Sequence, residues 1–254
     1  MTVDERNKQD HYLKSQLSRL VLSAADRGYP QFSSFLEERQ QNFAWEILRH
    51  YKYQNYLLFG GAENCERVVL GVFPEYMDAD SCAFPIVSLK LSYSGKEALT
   101  HRDYLGALMA LQIKREMLGD IWVQEKGAVL FVLEPMADFI RMNLNQIGRA
   151  SIQIADAGLD DLNRLITYKE ITGTVSSLRL DCITALVCGK SRSLAAELIA
   201  AGLVKVNGIE CLSASKTLHY GDSLAIRKYG KFILDTEGKR TKKDRLFLTI
   251  KQLQ

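Results

Sequence analysis

Apolar residues recur at helical spacing near the start of the chain. Between Tyr12 and Ala25 they stand three and four positions apart, which predicts an amphipathic helix. The Gly28-Tyr29-Pro30 break ends this pattern, and Ser33-Ser34 offers an N-cap for a second helix from Phe35 to about His50. Residues 1–75 are therefore predicted to form a helical N-terminal segment with some mixed character.

Aromatic side chains crowd the end of the second predicted helix and the strand after it. They are Trp45, Tyr51, Tyr53, Tyr56 and Phe59. A cluster of this kind can stack on bases, but it is more often part of a core. We therefore expect these rings to be buried.

After Asn55 the period changes towards strands. The predicted elements are strands Tyr56–Phe59, Arg67–Phe73 and Pro85–Tyr93, a helix from His101 to about Arg115 capped by Thr100, strands Asp120–Gln124 and Ala128–Leu133, a helix from Pro135 to about Asn145, and strand Ser151–Ala155. The order strand, helix, strand, strand, helix, strand predicts a ferredoxin-like sandwich over residues 76–160.

RNA-recognition domains share the ferredoxin-like plan, usually with exposed aromatic residues on two central strands. Here the strands offer only Tyr93, Trp122 and Phe131, in contexts that do not match that arrangement. The strand order, together with basic Lys114-Arg115 and Arg141, still makes RNA binding by this segment a hypothesis. The alternative is a spacer or a protein-docking module.

Two short helices are predicted after Leu178. Apolar residues from Leu180 to Val187 line one face of the first, which stops at Gly189, a residue suited to a left-handed C-cap. Ser191 is a natural N-cap for the second helix, which runs up to Gly202. The basic residues beside that N-terminus add to free amides and a helix dipole that already favour phosphate.

Short strands and tight turns follow the helix pair. Val204–Val206 is predicted to turn at Asn207-Gly208, and Ser223–Arg227 follows a turn at Gly221-Asp222. Lys205 lies between two apolar neighbours, so its side chain projects to the opposite face.

Charge is unevenly distributed along the chain. The formal net charge of +3 divides into 14 Lys+Arg against 7 Asp+Glu from Arg179 onward, and 19 against 23 before it. Clustered cations attract a polyanion because they displace the counterions condensed on phosphates, although a solvated basic face is the alternative. The tail residues Lys239-Arg240, Lys242-Lys243 and Arg245 either extend such a surface or form a solvated hairpin.

The composition is that of an ordinary globular protein. With 47% hydrophobic and 25% charged residues in 254, we expect two or three domains. The polar N-terminus and the lack of a long apolar run predict a cytoplasmic protein without membrane contact. The five cysteines and four histidines have no metal-ligand spacing, so we expect buried reduced thiols, no metal and no small-molecule cofactor.

Two short motifs resemble sequences from the catalytic sites of enzymes. His101-Arg102-Asp103 copies a kinase catalytic loop, but no glycine-rich phosphate loop or DFG motif accompanies it. Asp103 is instead expected in the first turn of a helix, where negative charge is favoured. Arg179-Leu180-Asp181 resembles the sequence around the catalytic aspartate of some pseudouridine synthases, but too little chain follows to supply their catalytic domain.

The C-terminal motifs together closely resemble the S4 RNA-binding domain. In chain order they are Arg179-Leu180-Asp181, Ser191–Ala195, Leu198-Ile199, Gly202, Val204, Val206-Asn207-Gly208, Gly221-Asp222 and Gly230–Phe232. The resemblance implies a domain whose paired helices and following loop grip the backbone of structured RNA. The contacts it implies are Arg179, Lys190, Ser191, Arg192, Lys205, Asn207 and Lys216, with Lys228 and Lys231 as secondary candidates.

The middle of the chain narrows the choice among proteins that carry S4 domains. His101–Met109, Ile113–Glu116 and Gly119–Ile121 look like the central domain of the YlmH-type S4 proteins of Gram-positive bacteria, and the domain order is similar over nearly the whole chain. The resemblance implies a ribosome-associated factor that acts on obstructed large subunits still carrying peptidyl-tRNA. Members of the family have also been linked to cell division.

We therefore predict a non-enzymatic α+β RNA-binding protein with a helical segment at 1–75, a ferredoxin-like domain at 76–160 and an S4 domain at 178–254. The expected partners are rRNA and/or tRNA of the large ribosomal subunit, as in ribosome quality control. One alternative is an RNA-modifying enzyme anchored by the S4 domain, although no G-x-G-x-x-G loop or nucleophile-base pair is found. Another is a cell-division adaptor whose middle domain binds protein.

Overall fold

The computed structural model describes residues 3–95, 98–163, 167–236, 240–241 and 244–253. The chain divides into two compact units, Met1–Arg164 and Leu165–Gln254. In these described ranges, no helix is both long enough and apolar enough to cross a membrane.

The N-terminal segment combines a helix pair with an antiparallel sheet. Its elements are α1 (Val3–Arg27), β1 (Gln31–Leu36), α2 (Glu38–Tyr51), β2 (Tyr56–Phe59) and β3 (Val68–Val72). The strands lie in the order β1-β3-β2. Leu17, Val21 and Ala24 on α1 pack with Phe43 and Ile47 on α2. The helical spacing of the first three residues is the pattern that predicted α1.

The second helix begins later than predicted, because the residues before it form strand β1. Ser33 does not cap a helix; its hydroxyl accepts the backbone N–H of Leu70 on β3 at 2.9 Å. Glu37 is the N-cap instead. The prediction of a helix from Phe35 was wrong because Phe35 is fully buried against other strands, a long-range contact that local spacing does not reveal.

The central segment has the ferredoxin-like topology that the strand order predicted. Its elements are β4 (Ile86–Tyr93), α3 (His101–Ala110), β5 (Leu118–Gln124), β6 (Gly127–Leu133), α4 (Glu134–Asn143), β7 (Gln146–Ile147) and β8 (Ala150–Asp156). The antiparallel strands lie in the order β5-β6-β4-β8-β7. Helix α3 ends at Ala110, short of the predicted Arg115, and Gln112 then takes a left-handed conformation with φ of 59°.

The central sheet is covered on both faces at β5 and β6. Helices α3 and α4 pack on one face, and alternate residues of β6 point into that core. On the other face, Phe131 and Trp122 lie edge to face with ring centroids 4.7 Å apart, in one cluster with Phe35 of β1. The approach is so close that a Cβ atom at Gly119 would come within 2.7 Å of the Phe35 ring. The N-terminal segment therefore closes the β5 and β6 part of the face that RNA-recognition domains use for bases, while Gln153 and Ala155 of β8 stay exposed.

Arg67 fastens the N-terminal segment to the central one. Its guanidinium donates to the carbonyl oxygens of Leu118 at 2.9 Å and Arg115 at 3.2 Å. In return, the Asp120 carboxylate accepts the backbone N–H groups of Glu66 and Arg67 at 2.7 and 3.0 Å. Burial, together with the nearby Arg115, lowers the pKa of Arg67 to about 10, so the group stays charged at neutral pH.

The C-terminal unit is a helix pair packed on one face of a sheet. Its elements are β9 (Tyr168–Val175), α5 (Leu180–Cys188), α6 (Arg192–Ala200), β10 (Val204–Val206), β11 (Ile209–Glu210), β12 (Ser223–Ile226), β13 (Gly230–Thr236) and β14 (Leu246–Leu253). The antiparallel strands among the described residues lie in the order β11-β10-β12-β13-β14-β9. Leu180 and Ile183 on α5 and Ile199 on α6 pack against Val206 and Phe232.

Strand β9 was not among the predicted elements. It pairs with β14 along its whole length, from Tyr168 opposite Leu253 to Val175 opposite Leu246. Most of its residues are at least partly exposed, so its sequence lacks a strong alternation of apolar positions. This pairing places the start of the C-terminal unit ahead of Leu178, where the resemblance begins the S4 domain.

We expect Phe35→Ala to destabilise the first unit by about 3–5 kcal/mol, because it leaves a cavity between β1 and the central sheet. Urea unfolding followed by Trp122 fluorescence in a Trp45→Phe background measures the loss. Trp122 is 4% exposed, so the same variant should also open it to iodide quenching. Phe139→Ala, at a ring that is 41% exposed, is the matched control. Equal unfolding free energies and equal iodide quenching in the two variants would contradict this packing.

Candidate nucleic-acid interface

The junction between α5 and α6 is a tight turn held by backbone hydrogen bonds. Gly189 ends α5 with φ of 60°, a left-handed conformation that glycine adopts without strain. The Lys190 N–H donates to the carbonyl oxygen of Ala185 at 3.0 Å. Ser191 is the predicted N-cap of α6, and its hydroxyl accepts the N–H of Leu194 at 3.3 Å. The turn leaves Lys190 exposed beside the N-terminus of α6.

A buried carboxylate joins the starts of the two helices. Asp181, the second residue of α5, is only 6% exposed. Its carboxylate accepts hydrogen bonds from Arg179 Nε at 3.1 Å, Arg179 Nη2 at 3.2 Å and Arg192 Nη2 at 2.6 Å. The backbone N–H of Cys182 donates a further bond at 2.9 Å. The arginine side chains remain 41% and 56% exposed, so they keep N–H groups in reach of solvent.

The ionisation of Asp181 follows from these bonds. Burial alone would raise its pKa, but the hydrogen bonds from Arg179 and Arg192 and the charge of Arg192 outweigh burial and hold the pKa well below its usual range. Asp181 is thus a carboxylate at any physiological pH, and its oxygens face its own arginines.

Lys216 lies close to Arg179 because the loop before β12 runs beside the start of α5. The carbonyl oxygen of Lys216 accepts the N–H of Leu180 at 2.8 Å, and Thr217 forms a bridge with Arg179. The Lys216 side chain is exposed. The structure therefore gathers five of the predicted contacts on the side of the helices. This helix-side group consists of Arg179, Lys190, Ser191, Arg192 and Lys216.

Other predicted contacts project from the opposite face of the C-terminal sheet. Lys205 pairs across the strands with Ala225, and Ala225 pairs with Lys231, so the three share one face. The flanking residues Val204 and Val206 face the helix-side core. Lys205 and Lys231 form the sheet-side group, as the alternation around Lys205 predicted.

Lys228 lies apart from both groups, in the turn that joins β12 to β13. It is exposed and has φ of 73°. This turn connects Ile226 to Gly230, and the N–H of Tyr229 closes it by donating to the carbonyl oxygen of Ile226 at 2.9 Å. Lys228 is thus presented at a hairpin tip.

Asn207 has a structural task in the turn between β10 and β11. Its φ of 50° and the 73° of Gly208 match the left-handed pair that an Asn-Gly hairpin turn requires. Its Nδ2 donates to Asp222 Oδ1 at 2.8 Å, and its Oδ1 accepts the N–H of Ser223 at 2.9 Å. The side chain thereby joins two turns that the sequence predicted separately.

The basic residues of the central segment are mostly engaged in local bonds. Arg115 donates to the carbonyl oxygens of Leu118 at 2.8 Å and Gly119 at 3.2 Å. Arg141 pairs with Asp138 at 2.6 Å and also with Asp156. Lys114 is exposed. Since the sheet face is covered at β5 and β6, RNA contact by this segment is left to its helices, its loops and the exposed edge at β8.

Asp103 is a helix-capping residue, as its place in the first turn of α3 predicted. Its carboxylate accepts the backbone N–H of Thr100 at 2.8 Å and the hydroxyl of the same residue at 2.7 Å. These bonds, the side-chain bond first, lower the pKa of Asp103. Thr100 is the N-cap of α3, so His101-Arg102-Asp103 resembles a kinase catalytic loop in sequence and forms the first turn of a helix in the structure.

The aromatic cluster near α2 is only partly buried. Tyr53 and Tyr56 pack against the N-terminal core, as predicted. Trp45, Tyr51 and Phe59 are 40%, 37% and 37% exposed, so the prediction that they are core residues was wrong. Trp45 lies edge to face with Tyr56, their ring centroids 5.5 Å apart, at the border of that core.

In the basic tail, the described arginines are paired within the protein. Arg240 Nη1 lies 2.5 Å from Asp244 Oδ1, and Arg245 Nη2 donates to the carbonyl oxygen of Thr174 at 2.7 Å. Lys239 and Lys242-Lys243 lie outside the described residues. The five cysteines are free thiols; two are buried and three half-buried. Across the described ranges, no group of His, Cys, Asp and Glu could hold a metal ion.

Comparisons with known proteins match both parts of the chain. A family model described as "Putative RNA-binding domain in YlmH" matches residues 80–161, and the S4 domain model matches residues 178–224. The "Ribosome-associated protein quality control protein P2" of Bacillus subtilis (strain 168) is 36% identical over 195 residues, which are 76% of each chain. The solved "Cell division protein ylmH from Streptococcus pneumoniae" aligns with 18% identity and a TM-score of 0.49, over 63% of this chain and 94% of that one.

Asp181 should make the stability of the C-terminal unit depend on acid pH. Because its folded-state pKa lies below the ordinary value of about 3.9, its contribution is complete above that pH and is lost as the pH falls through the folded-state pKa. We expect Asp181→Asn to cost about 1–2 kcal/mol at neutral pH, a modest loss because solvent screens the half-exposed arginines. Thermal unfolding from neutral pH down to about pH 3 should show this difference shrinking. A difference that stays constant over that range would contradict the assignment.

Proposed function

Because this chain belongs to the YlmH-type family of S4-domain RNA-binding proteins, we propose that it docks on structured ribosomal RNA, tRNA or their junction through its C-terminal unit. The observation that carries this proposal is the helix-side group. Two half-exposed arginines bind one buried carboxylate at the starts of α5 and α6, with Lys190 beside the N-terminus of α6 and Lys216 beside the start of α5. This arrangement suits a phosphate backbone, since it combines fixed guanidinium donors with the positive end of a helix.

The proposed mechanism is binding and positioning, with no bond made or broken. Lysine and arginine contact phosphates, which fixes the register of the protein on its RNA without reading sequence. A-form shape supplies most of the selectivity, because side chains cannot read the narrow major groove of an RNA helix. In this proposal Ser191 and Asn207 hold the shape of the surface, and the basic residues make the contacts.

Basic residues on two sides of the C-terminal unit support docking at a junction of RNA elements. The helix-side group and the sheet-side group are separated by the packed layer of α5, α6 and the sheet. A single straight duplex contacts one side of such a layer. Two RNA elements, or one that bends sharply, can engage both.

The likeness to the Bacillus subtilis protein supports a more specific setting. That relative is named for ribosome-associated quality control, and the match covers three quarters of its length. We propose that this chain acts in the cytoplasm on large ribosomal subunits obstructed by peptidyl-tRNA. The junction between tRNA and rRNA in such a subunit would offer RNA to both basic groups.

We expect Lys190→Ala combined with Arg192→Ala to weaken binding to RNA hairpins of every sequence and to reduce the slope of log affinity against log salt by about 1–2. Fluorescence anisotropy over a salt series measures both quantities. Lys8→Ala with Arg19→Ala removes two exposed cations from α1, outside both matched RNA-binding domains, and should change neither. Unchanged affinity and slope in the first pair would refute the proposed interface.

Sucrose-gradient sedimentation tests the ribosomal setting. The full chain should co-sediment with large subunits carrying peptidyl-tRNA in preference to vacant large subunits, because only the former present tRNA beside rRNA. The Lys190→Ala, Arg192→Ala variant should no longer co-sediment with the large subunits. Equal binding to vacant and occupied subunits would overturn the preference for obstructed subunits while leaving RNA binding in place.

A further inference from the structure

Asp181 places two like charges side by side on the RNA-binding surface. We propose that it is a positioning residue, which holds Arg179 and Arg192 as one preformed binding site for a single backbone phosphate. The two arginines are called the arginine pair below. This inference rests on the proposed RNA-binding function and deepens it, because it assigns an acidic residue a necessary part in binding a polyanion.

The distances set how close the two guanidinium groups are. Arg179 Nη2 and Arg192 Nη2 bind the same carboxylate oxygen, at 3.2 and 2.6 Å, so these two nitrogens lie at most about 5.8 Å apart. Arg179 also uses Nε on the other oxygen, so its planar group is fixed in orientation as well as in position. Two guanidinium groups this close can donate to the oxygens of one phosphate together.

The carboxylate binds the arginine pair from its buried side. Asp181 is buried in the first turn of α5, where the N–H of Cys182 donates to it and the positive end of the helix favours its charge. It therefore stays in place while the exposed parts of the arginines face solvent. The three groups together keep a charge of +1, so the site still attracts an anion.

Without Asp181 the arginine pair would come apart. Two guanidinium groups at this separation repel each other, and each long side chain gains rotamer freedom when it is released. An RNA phosphate would then have to bring them together and order both. With Asp181 present, that ordering is complete before the RNA arrives, which is the energetic advantage of a preorganised site.

The sign of one substitution separates positioning from simple attraction. Asp181→Asn removes a negative charge beside a polyanion, so charge alone predicts tighter RNA binding. Loss of the preformed site predicts weaker binding instead. We expect the full-length variant to bind a labelled RNA hairpin about tenfold more weakly, with a salt slope reduced by about 1. Affinity is measured well below the unfolding temperature of the variant, so that only folded protein is compared.

Glu197→Gln is the matched control, since it removes an exposed negative charge from α6 and leaves the arginine pair intact. It should bind RNA as tightly as the wild type or slightly more tightly. Arg192→Lys provides a second, independent test. It keeps the charge but loses the planar fork, so we expect weaker binding at an unchanged net charge.

A double-mutant cycle then distinguishes positioning from a general loss of structure. If Asp181 acts through the arginine pair, Asp181→Asn should cost much less affinity in an Arg192→Ala background than in the wild type. Equal costs in both backgrounds would overturn the proposal, as would Asp181→Asn or Arg192→Lys binding as tightly as the wild type. If instead the Lys190→Ala, Arg192→Ala variant also keeps full affinity, the proposed RNA interface itself fails.

Discussion

The central sheet is covered on both faces at β5 and β6, and this constraint limits which parts of the central segment are left for binding. Along β6, Leu130 faces the cores under α3 and α4, while Phe131 faces β1. A sheet packed in this way cannot present aromatic rings to unstacked bases, which is how its fold is used in RNA-recognition domains. The shared topology thus does not carry the shared mode of binding. The C-terminal unit carries exposed basic residues on both the helix side and the sheet side.

Among the described residues of that unit, the least exposed charged one is an acid, Asp181. A carboxylate among arginines is expensive to bury alone, but it is stable here because four hydrogen bonds satisfy it. The same bonds that stabilise Asp181 restrict Arg179 and Arg192. In the proposed interface, stability and binding geometry would therefore depend on one set of contacts, and a count of positive charges alone would miss the residue that organises the two arginines.

Local signals in the sequence predicted the local parts of this surface. Three features depend on interactions over only a few residues, so their sequence patterns were enough to predict them. They are the left-handed Gly189, the Ser191 cap and the Asn207-Gly208 turn. Strand β9 pairs with β14, and Phe131 is covered by β1, so both depend on residues far away in the chain. The local spacing of apolar residues therefore does not predict them. Asp181 was read as part of a motif, but its bond to Arg192, eleven residues on, becomes visible only when α5 and α6 are folded.

The same comparison separates residues that bind from residues that shape the binding surface. A motif resemblance assigns contacts by position, so it groups Asn207 with Lys205. In the structure, the Asn207 amide is occupied by Asp222 and Ser223, whereas Lys205 projects from the strand next to it. A change at Asn207 would reach RNA through the turn, and a change at Lys205 through its charge. In the proposed interface, two neighbouring residues of one motif would therefore affect binding by different physical routes, and their effects should differ in salt dependence, since only the lysine would neutralise a phosphate.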